Sequence, residues 1–305
     1  MYQFLDKILP PKEIENLQQC VLANEVYFYQ SNSQMIEELK SLDYLSSLES
    51  LLDSWTDEVD VHLLDLKDEA STKKITASSA REYFDKGMGL LFNDINLSDE
   101  YFQKLLTSLS QDLGLSSATL SRNLIYATPK NGGTATHFDQ NINLIIQVHG
   151  EKSWWIEENK SILNPLTRHT LGTEADPELA SYQSSEFPES INYNNQYKLS
   201  PGSILFVPRG AWHKTYASTE ALALNFTFSV PSWADIISMG LRARIIQSEY
   251  WRDSVLGLNR EEVANEKIQN FQSLIDSLKE DIQTWKAEDI LGFVEFSGTE
   301  GLSDD

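Results

Sequence analysis

The sequence predicts a mainly β protein whose central sandwich or barrel is flanked by helical regions. Between residues 123 and 230, short apolar runs rich in β-branched and aromatic residues alternate with turn residues such as Gly, Pro and Asn. Before and after that stretch, apolar residues recur at the three- and four-residue spacings that are typical of helices. We therefore divide the chain into residues 1–122, 123–230 and 231–305.

The N-terminal region, residues 1–122, is predicted to be helical, with a few strands that join the core sheet. Ser98 is the expected N-cap of its clearest helix, since acidic residues fill the first turn and Gly114 can end it. The other expected elements are helices from Pro11 to about Trp55 and from Ser78 to Phe84, and strands at Val59–Leu64 and Gly87–Phe92.

The central region contains apolar runs that are expected strands. They include Asn123–Thr128, Asn143–Val148, Ser153–Ile156, Ser203–Val207 and Ala221–Phe228. Two connections carry turn chemistry, at Pro129–Gly133 and His149–Gly150. Residues 164–195 are a long polar insertion between strands, and such insertions are often functional lids or flexible segments.

The C-terminal region, residues 231–305, is predicted to be helical. One apolar stripe recurs there at three- and four-residue steps and comprises Phe271, Leu274, Leu278, Ile282 and Trp285. Such a stripe packs either on the core of the same chain or on a second copy. The region is therefore a candidate for a homodimer contact.

The composition restricts the classes of partner. A formal net charge of −22 over 305 residues opposes phosphate binding, so nucleic acid is not an expected partner. The acidity attracts a basic peptide or protein at long range, and it also serves solubility. Cys20 is the single cysteine, which fits a reducing cytoplasm. No run approaches the roughly 20 apolar residues that span a bilayer, so we expect a soluble cytoplasmic protein without a membrane partner.

A candidate metal site comes from the segment Thr134-Ala-Thr-His137-Phe-Asp139 and from His213, which follows the apolar run 203–207. Alternate residues of a strand share a face, so His137 and Asp139 can reach one ion while Phe138 points away. Two imidazoles and one carboxylate are the ligands of non-haem Fe(II) centres with open positions. Manganese, cobalt and nickel fit the same ligands, and so does zinc in a hydrolase, so the ligand set leaves the metal open.

The other three histidines lack such a pattern. None of them is followed two residues later by a carboxylate with a partner histidine in a distant turn. His62 is interpreted as strand surface, His149 as a bend or surface residue, and His169 as a solvated residue of the polar insertion.

Three segments carry a resemblance to a known family. They are Gly133-Thr-Ala-Thr-His137-Phe-Asp139, the run from Leu144 through Lys152 to Trp154, and the run from Leu199 through Pro208 to His213. From about residue 123 to 229 the chain resembles the JmjC/cupin-like Fe(II)- and 2-oxoglutarate-dependent oxygenases, in particular ribosomal oxygenases and the asparaginyl hydroxylase that inhibits hypoxia-inducible factor. The resemblance implies a double-stranded β-helix of the cupin or jelly-roll type, with C-terminal helices that often form a dimer.

The resemblance also implies roles for individual residues. His137, Asp139 and His213 would hold Fe(II), and Lys152 would pair with the distal carboxylate of the co-substrate 2-oxoglutarate. A cation 15 residues after His137, on the next strand, suits that role because it can clamp a dianion inside a barrel. The alternative interpretation of Lys152 is a solvated lysine in a hairpin. Thr134 matches a threonine that hydrogen-bonds the same carboxylate.

Three further residues match positions near the co-substrate and the metal. Asn143 and Asn225 match asparagines of the family, and a satisfied structural amide is the alternative for each. Tyr126 is expected to contribute a hydroxyl to the pocket, although a strand aromatic is more often part of the core.

The implied function is oxidative hydroxylation of a protein or peptide side chain, with O2 as oxidant and with release of succinate and CO2. The alternatives are tailoring of a small metabolite or a ribosomally made peptide, lysine demethylation, a non-catalytic metal-binding cupin module and a zinc hydrolase. Ribosomal oxygenases usually have an acidic residue at the position after the Pro-Gly turn, where this chain has Ser203. They also carry a C-terminal winged-helix domain, for which the residues after the core are expected to be too few. Both departures weigh against a ribosomal substrate.

Overall fold

A computed structural model describes residues 3–292 of the chain, which form two compact units. The first unit comprises residues 3–115 and 120–229, and the second comprises 116–119 and 230–292. The division into three regions made from the sequence stays a prediction.

The first unit contains two antiparallel sheets. In the larger sheet the strand order is β1-β11-β7-β13-β5-β4-β2-β3. Its strands are β1 (Tyr27–Gln30), β2 (Glu58–His62), β3 (Thr72–Thr76), β4 (Gly89–Phe92), β5 (Leu120–Thr128), β7 (Ile142–His149), β11 (Ser203–Val207) and β13 (Ala221–Ser229). The smaller sheet has the order β10-β8-β12-β6-β9 and comprises β6 (His137–Phe138), β8 (Lys152–Glu157), β9 (His169–Thr170), β10 (Asn195–Leu199) and β12 (Trp212–Ala217).

The helices lie before, between and after these strands. Those of the first unit are α1 (Leu5–Ile8), α2 (Pro11–Ala23), α3 (Gln34–Lys40), α4 (Asp43–Ser46), α5 (Leu48–Ser54), α6 (Ala77–Asp85), α7 (Ile95–Ser98), α8 (Glu100–Asp112) and α9 (Pro177–Tyr182). The second unit contains α10 (Trp233–Ile245), a short 3-10 helix (Glu249–Arg252) and α11 (Glu261–Ile282).

The two sheets pack face to face. One buried cluster joins Ile145 of β7 and Leu205 of β11 to Ile156 of β8 and Leu199 of β10, so both sheets contribute to one core. The central strands β7, β11 and β13 are buried at nearly every residue, so both faces of the larger sheet are covered there. This arrangement confirms the predicted mainly β core of the jelly-roll type with flanking helices.

Two details of the N-terminal prediction are wrong. The region from Pro11 to Trp55 is interrupted by β1, because Tyr27–Gln30 pairs with β11 at the edge of the larger sheet. Ser98 ends α7 instead of capping α8; Asp99 is the N-cap, and its side chain accepts a hydrogen bond from the backbone N–H of Tyr101. Asp is as good a cap as Ser, and the chain uses the residue next to the predicted one.

Gly150 makes the predicted bend between β7 and β8. Its φ of +69° lies in the left-handed region, and a Cβ at this position would lie 1.8 Å from the backbone oxygen of Glu220. Only glycine fits such a close approach between two segments. The bend matters for the site because β8 begins two residues later, at Lys152.

The polar insertion contains regular structure. Thr170 of β9 pairs with His137 of β6, and Leu179 of α9 is buried in a cluster with Phe138 and Trp212. The insertion is therefore anchored beside a predicted metal ligand by backbone pairing and by apolar burial.

The second unit exposes many apolar side chains. Of the predicted stripe, Phe271 and Ile282 are exposed, while Leu274, Leu278 and Trp285 are half-buried. None of the helices in residues 3–292 combines the length and the apolar character that a membrane span requires.

Candidate metal centre and co-substrate cavity

The backbone pairing of two short strands brings the predicted metal ligands together. His137 of β6 lies directly opposite His213 of β12, and the centroids of the two imidazole rings are 4.1 Å apart. Asp139 follows β6 and lies on the same side, with its Oδ2 3.7 Å from His213 Nε2. One ligand atom of each residue lies within 4.8 Å of the others, which suits a single ion.

Backbone carbonyl groups orient both imidazoles. The Nδ1 of His137 lies 2.8 Å from the oxygen of Ala135, and the Nδ1 of His213 lies 2.9 Å from the oxygen of Ala211. A carbonyl oxygen only accepts, so each Nδ1 carries the proton. The Nε2 of each neutral ring is then left with a lone pair, as a metal ligand requires.

Burial and neighbouring charges together keep His213 and Asp139 in the forms that bind a metal. Burial and the nearby His137 lower the pKa of His213 to about 4, so its ring is neutral at pH 7. Burial alone would raise the pKa of Asp139, but His137, His213 and Arg168 outweigh it and lower the pKa below its ordinary value. The carboxylate is therefore ionised.

A second carboxylate, Asp68, lies behind the ligands. It forms an ion pair with Arg168 of the insertion, accepts a hydrogen bond of 2.8 Å from Thr170 Oγ1, and lies 3.6 Å from His137 Nδ1. Burial by itself raises the pKa of Asp68, but these groups hold it at about 2. Arg168 Nε in turn lies 3.6 Å from Asp139 Oδ1. The insertion thus places a cation between two acidic groups beside the metal centre.

Lys152 lies inside the same cavity. Its side chain is buried, and its Nζ donates a hydrogen bond of 3.0 Å to Thr128 Oγ1. The ammonium group also lies over the rings of Tyr126 and Trp154, at 5.7 and 5.6 Å from their centroids. Since Lys152 is only 4% exposed, the alternative of a solvated lysine is wrong. No carboxylate within residues 3–292 forms a salt bridge with it.

Desolvation has a large effect on this uncompensated charge. Burial lowers the pKa of Lys152 to about 8. A buried cation without an anion is costly, and an anionic ligand would remove that cost.

Thr134 lies near the metal ligands on the wall of the cavity. Its Oγ1 is 2.9 Å from Thr215 Oγ1, and its backbone N–H donates to the same oxygen at 3.0 Å. Both threonines line the cavity that contains the three predicted ligands and Lys152.

The two predicted asparagines form one network with the metal ligand Asp139. Asn225 Nδ2 donates to Asn143 Oδ1 at 3.2 Å, and Asn143 Nδ2 donates to Asp139 Oδ2 at 3.3 Å. Thr227 Oγ1 also donates to Asn143 Oδ1, at 2.7 Å. Asn225 Oδ1 is buried and accepts no hydrogen bond from the residues that the structure describes. The side-chain amides of Asn143 and Asn225 thus orient the carboxylate of Asp139, and Asn225 Oδ1 is left as an acceptor without a described donor.

Tyr126 extends into the cavity from β5. Its hydroxyl donates a hydrogen bond of 3.0 Å to Glu69 Oε1, and burial raises its pKa well above the ordinary value. The hydroxyl is therefore protonated and engaged by Glu69.

Two of the histidine interpretations are wrong. His62 is 5% exposed and lines the cavity, and His169 is also 5% exposed and stacks on Phe187 at 4.3 Å. The interpretation of His62 as strand surface rests on the face that it shares with Asp60, but β2 pairs with β4 inside the larger sheet, and this face borders the cavity at His62. His149 is half-buried and its Nε2 donates to the backbone oxygen of Leu45 at 2.8 Å.

Sequence reasoning also missed several cavity residues that lie outside the recognised segments. Four of them interact electrostatically with the predicted ligands His137 or Asp139. They are His62, Asp68, Glu69 and Arg168. Arg168 carried the only usable signal, as a basic residue in an insertion otherwise rich in Asp, Glu, Ser and Asn. His62 ends β2, and Asp68 and Glu69 follow it, so these three residues reach the cavity only because β2 pairs with the larger sheet.

The residues present fit Fe(II) and 2-oxoglutarate. Two neutral imidazoles and one ionised carboxylate are suitable ligands for a ferrous ion, and they leave positions for further ligands. The buried ammonium group of Lys152 and the hydroxyl of Thr134 line the same cavity. A 2-oxoglutarate dianion that binds the metal through one end would compensate the charge of Lys152 with the carboxylate at its other end.

Comparison with known proteins agrees with this geometry. The sequence profile of the JmjC domain matches residues 97–236. An uncharacterised protein of Bacillus subtilis, YxbC, is 32% identical over 224 residues, which are 71% of this chain and 67% of that protein. The Drosophila melanogaster protein named bifunctional lysine-specific demethylase and histidyl-hydroxylase NO66 is 31% identical over 107 residues. That alignment covers 35% of this chain and only 15% of the fly protein.

The fold has a counterpart among solved structures. The crystal structure of ycfD from Escherichia coli superposes with a TM-score of 0.53 at 17% sequence identity, and it covers 90% of this chain and 69% of that chain. At this identity the likeness concerns the fold. Together with the domain match and the similarity to YxbC, it leads to one conclusion. The chain belongs to the JmjC family of Fe(II)- and 2-oxoglutarate-dependent oxygenases.

Proposed function

We propose that this protein is an Fe(II)- and 2-oxoglutarate-dependent hydroxylase that acts on a protein or peptide side chain. One observation carries the proposal: a 2-His-1-carboxylate cluster shares one cavity with a buried lysine that no carboxylate of the described residues 3–292 pairs with. The similarity to a protein named as a histidyl-hydroxylase supports a protein substrate.

In the proposed reaction, His137, Asp139 and His213 hold the metal. Bound Fe(II) supplies the activation of O2 that oxidises 2-oxoglutarate to succinate and CO2 and hydroxylates the substrate. The protein residues supply position, and correct positioning alone can contribute several kcal/mol, on the order of 7–11 for well-oriented groups. Lys152 and Thr134 bind the distal carboxylate of the co-substrate.

Asn143 and Asn225 keep the carboxylate of Asp139 in one orientation in this proposal. Their network fixes Oδ2, and Arg168 lies near Oδ1. A ligand carboxylate that cannot rotate presents the same oxygen to the metal in every cycle. Tyr126 and Glu69, which share a hydrogen bond, also line this cavity.

The alternatives differ in what they require of Lys152. A zinc hydrolase needs a general base near the metal and has no use for a buried unpaired cation. A non-catalytic metal-binding cupin module needs the three ligands but would gain stability from losing the buried cation. Tailoring of a small metabolite or a ribosomally made peptide uses the same core residues, and only a substrate assay separates it from protein hydroxylation.

The test is the turnover of 2-oxoglutarate to succinate with added Fe(II), with and without candidate peptides. We expect slow succinate formation by the protein alone and faster formation with a substrate peptide, which gains about 16 Da. His137→Ala is expected to abolish both metal binding and turnover, whereas His149→Ala, outside the cavity, is the matched control. Absence of 2-oxoglutarate binding by the wild-type protein would contradict the proposal.

Metal analysis provides an independent check. Protein purified without oxygen should contain iron when expressed in iron-rich medium. Stoichiometric zinc that supports hydrolysis, with no 2-oxoglutarate binding, would favour the hydrolase.

We further propose a cytoplasmic homodimer that contacts its partner through the C-terminal helices. The single thiol fits a reducing compartment, and Trp233 and Ile237 of α10 are 78% and 46% exposed. Light scattering should give twice the mass of the chain, and Ile237→Glu should give a monomer. A wild-type monomer at micromolar concentration would rule this out.

A further inference from the structure

His62 is a buried polar group that the proposed reaction does not yet use. It ends β2, outside the segments that resemble the oxygenase family, and it is 5% exposed. Its ring lines the cavity that contains the metal ligands and Lys152. Among the described residues, its buried Nε2 has no hydrogen-bond partner. Leaving a buried N–H unsatisfied costs roughly 1–3 kcal/mol.

The strand register places His62 at the Lys152 end of the cavity. His62 lies opposite Gly89, and the next residue of that strand, Leu90, lies opposite Ala127. The row of paired residues that begins with His62 and Gly89 therefore continues toward Thr128 of β5. Thr128 accepts the hydrogen bond that Lys152 donates. Because Gly89 has no side chain, it leaves the space beside the imidazole open; a Cβ there would lie 4.0 Å from His62 Nδ1.

Both groups also contact one aromatic ring. The imidazole of His62 meets the ring of Tyr126 at 6.3 Å between centroids, and the Nζ of Lys152 lies 5.7 Å from the same centroid. The pKa of His62 is lowered to about 4, chiefly by burial; the Asp68 carboxylate opposes this shift, and the positive charge of Lys152 adds to it. The ring is neutral at pH 7, so it offers one N–H donor and does not repel the ammonium group.

We propose that His62 donates a hydrogen bond from its imidazole to the distal carboxylate of 2-oxoglutarate, beside Lys152. This inference rests on the proposed function. A carboxylate has about four lone-pair sites, so it can accept from Lys152, Thr134 and His62 together. The bound ligand would satisfy the N–H that the protein alone leaves without a partner.

Two ligands that differ only at the distal end provide the test. 2-Oxopentanoate has the chain length and the keto acid of 2-oxoglutarate but a methyl group in place of the distal carboxylate. Binding of both is measured by calorimetry to the Mn(II)-loaded full chain without oxygen. His62→Phe keeps a planar ring against Tyr126 and removes the N–H, and His62→Gln restores an amide donor.

We expect His62→Phe to weaken 2-oxoglutarate binding about 10- to 100-fold, as for a hydrogen bond to a charged group. Binding of 2-oxopentanoate and of Mn(II) should change less than about twofold, and His62→Gln should recover part of the loss. His149→Phe, a histidine outside the cavity, should bind both ligands like the wild type.

Two results would overturn the assignment. One is wild-type affinity for 2-oxoglutarate in His62→Phe, and the other is an equal loss for both ligands or for Mn(II), which would indicate a packing role. Either result leaves the proposed function intact if the wild-type protein binds 2-oxoglutarate. If the wild-type protein binds none, both proposals fail.

Discussion

Lys152 Nζ donates a hydrogen bond of 3.0 Å to Thr128 Oγ1, which links the first residue of β8 to the last residue of β5. The hydroxyl satisfies one of three ammonium protons and carries no charge. The lysine is therefore positioned by the protein but compensated only by a ligand. Removal of the ammonium group should therefore stabilise the folded protein and weaken the binding of 2-oxoglutarate.

Lys152→Met should stabilise the protein and impair binding. Methionine fills a similar volume without a buried charge, so we expect the free energy of unfolding to rise by about 2 kcal/mol. The affinity for 2-oxoglutarate should fall at least about 100-fold, because the buried charge pair is lost. Denaturant unfolding and calorimetry check the two effects. A variant that is less stable than wild type would contradict the view of Lys152 as an uncompensated charge.

The affinity for 2-oxoglutarate should depend on pH through the same group. The pKa of Lys152 is about 8, against an ordinary value of 10.5, so the ammonium form is complete below pH 7 and is lost above pH 8. The ligand is a dianion throughout this range, and its affinity should fall up to about tenfold per pH unit above 8. Lys152→Arg, where it still binds, should show a flat profile to pH 9. A flat wild-type profile would show that Lys152 does not bind the carboxylate.

Without ligand, the free energy of unfolding should rise with pH in the range where the affinity for 2-oxoglutarate falls. The unfolded chain binds a proton at Lys152 up to pH 10.5, whereas the folded chain loses it from about pH 8. The contribution of this residue to stability therefore rises between these two pH values.

Asp68→Asn should weaken metal binding without direct contact with the metal. The substitution removes the charge that pairs most closely with Arg168, whose remaining acidic neighbours are Glu69 and the predicted ligand Asp139. Loss of such an outer partner typically costs 10- to 100-fold in metal affinity, so about tenfold or more is expected. Asp65→Asn, an exposed residue of the same loop, is the control. Equal Co(II) affinities of the two variants would remove this role from Asp68.

Gly150→Ala should destabilise the first unit strongly. The new Cβ would meet the backbone oxygen of Glu220 at 1.8 Å in addition to the unfavourable φ of +69°. We expect a loss of more than about 3 kcal/mol in the free energy of unfolding. Gly87→Ala isolates the conformational part, because Gly87 also has a positive φ, +88°, but no atom within 4 Å of its Cβ position. That control should lose only about 1–2 kcal/mol. Similar losses in the two variants would contradict the steric argument.

The sequence by itself determined the strands of the core, the bend at Gly150 and the candidate ligands His137, Asp139 and His213. These features depend on local signals, namely short apolar runs, turn chemistry and the two-residue spacing of side chains on one strand face. Fold class followed from them because antiparallel runs with one buried face have few ways to pack.

Tertiary structure alone decided the rest of the cavity. His62 and Asp68 lie some 70 residues before the ligands in the chain, and they reach the site only because β2 joins the larger sheet through β4 and β5. Arg168 reaches it because β9 pairs with β6. Pairing between distant strands leaves no local pattern in the sequence, since its free energy comes from hydrogen bonds and burial that exist only once the chain has folded.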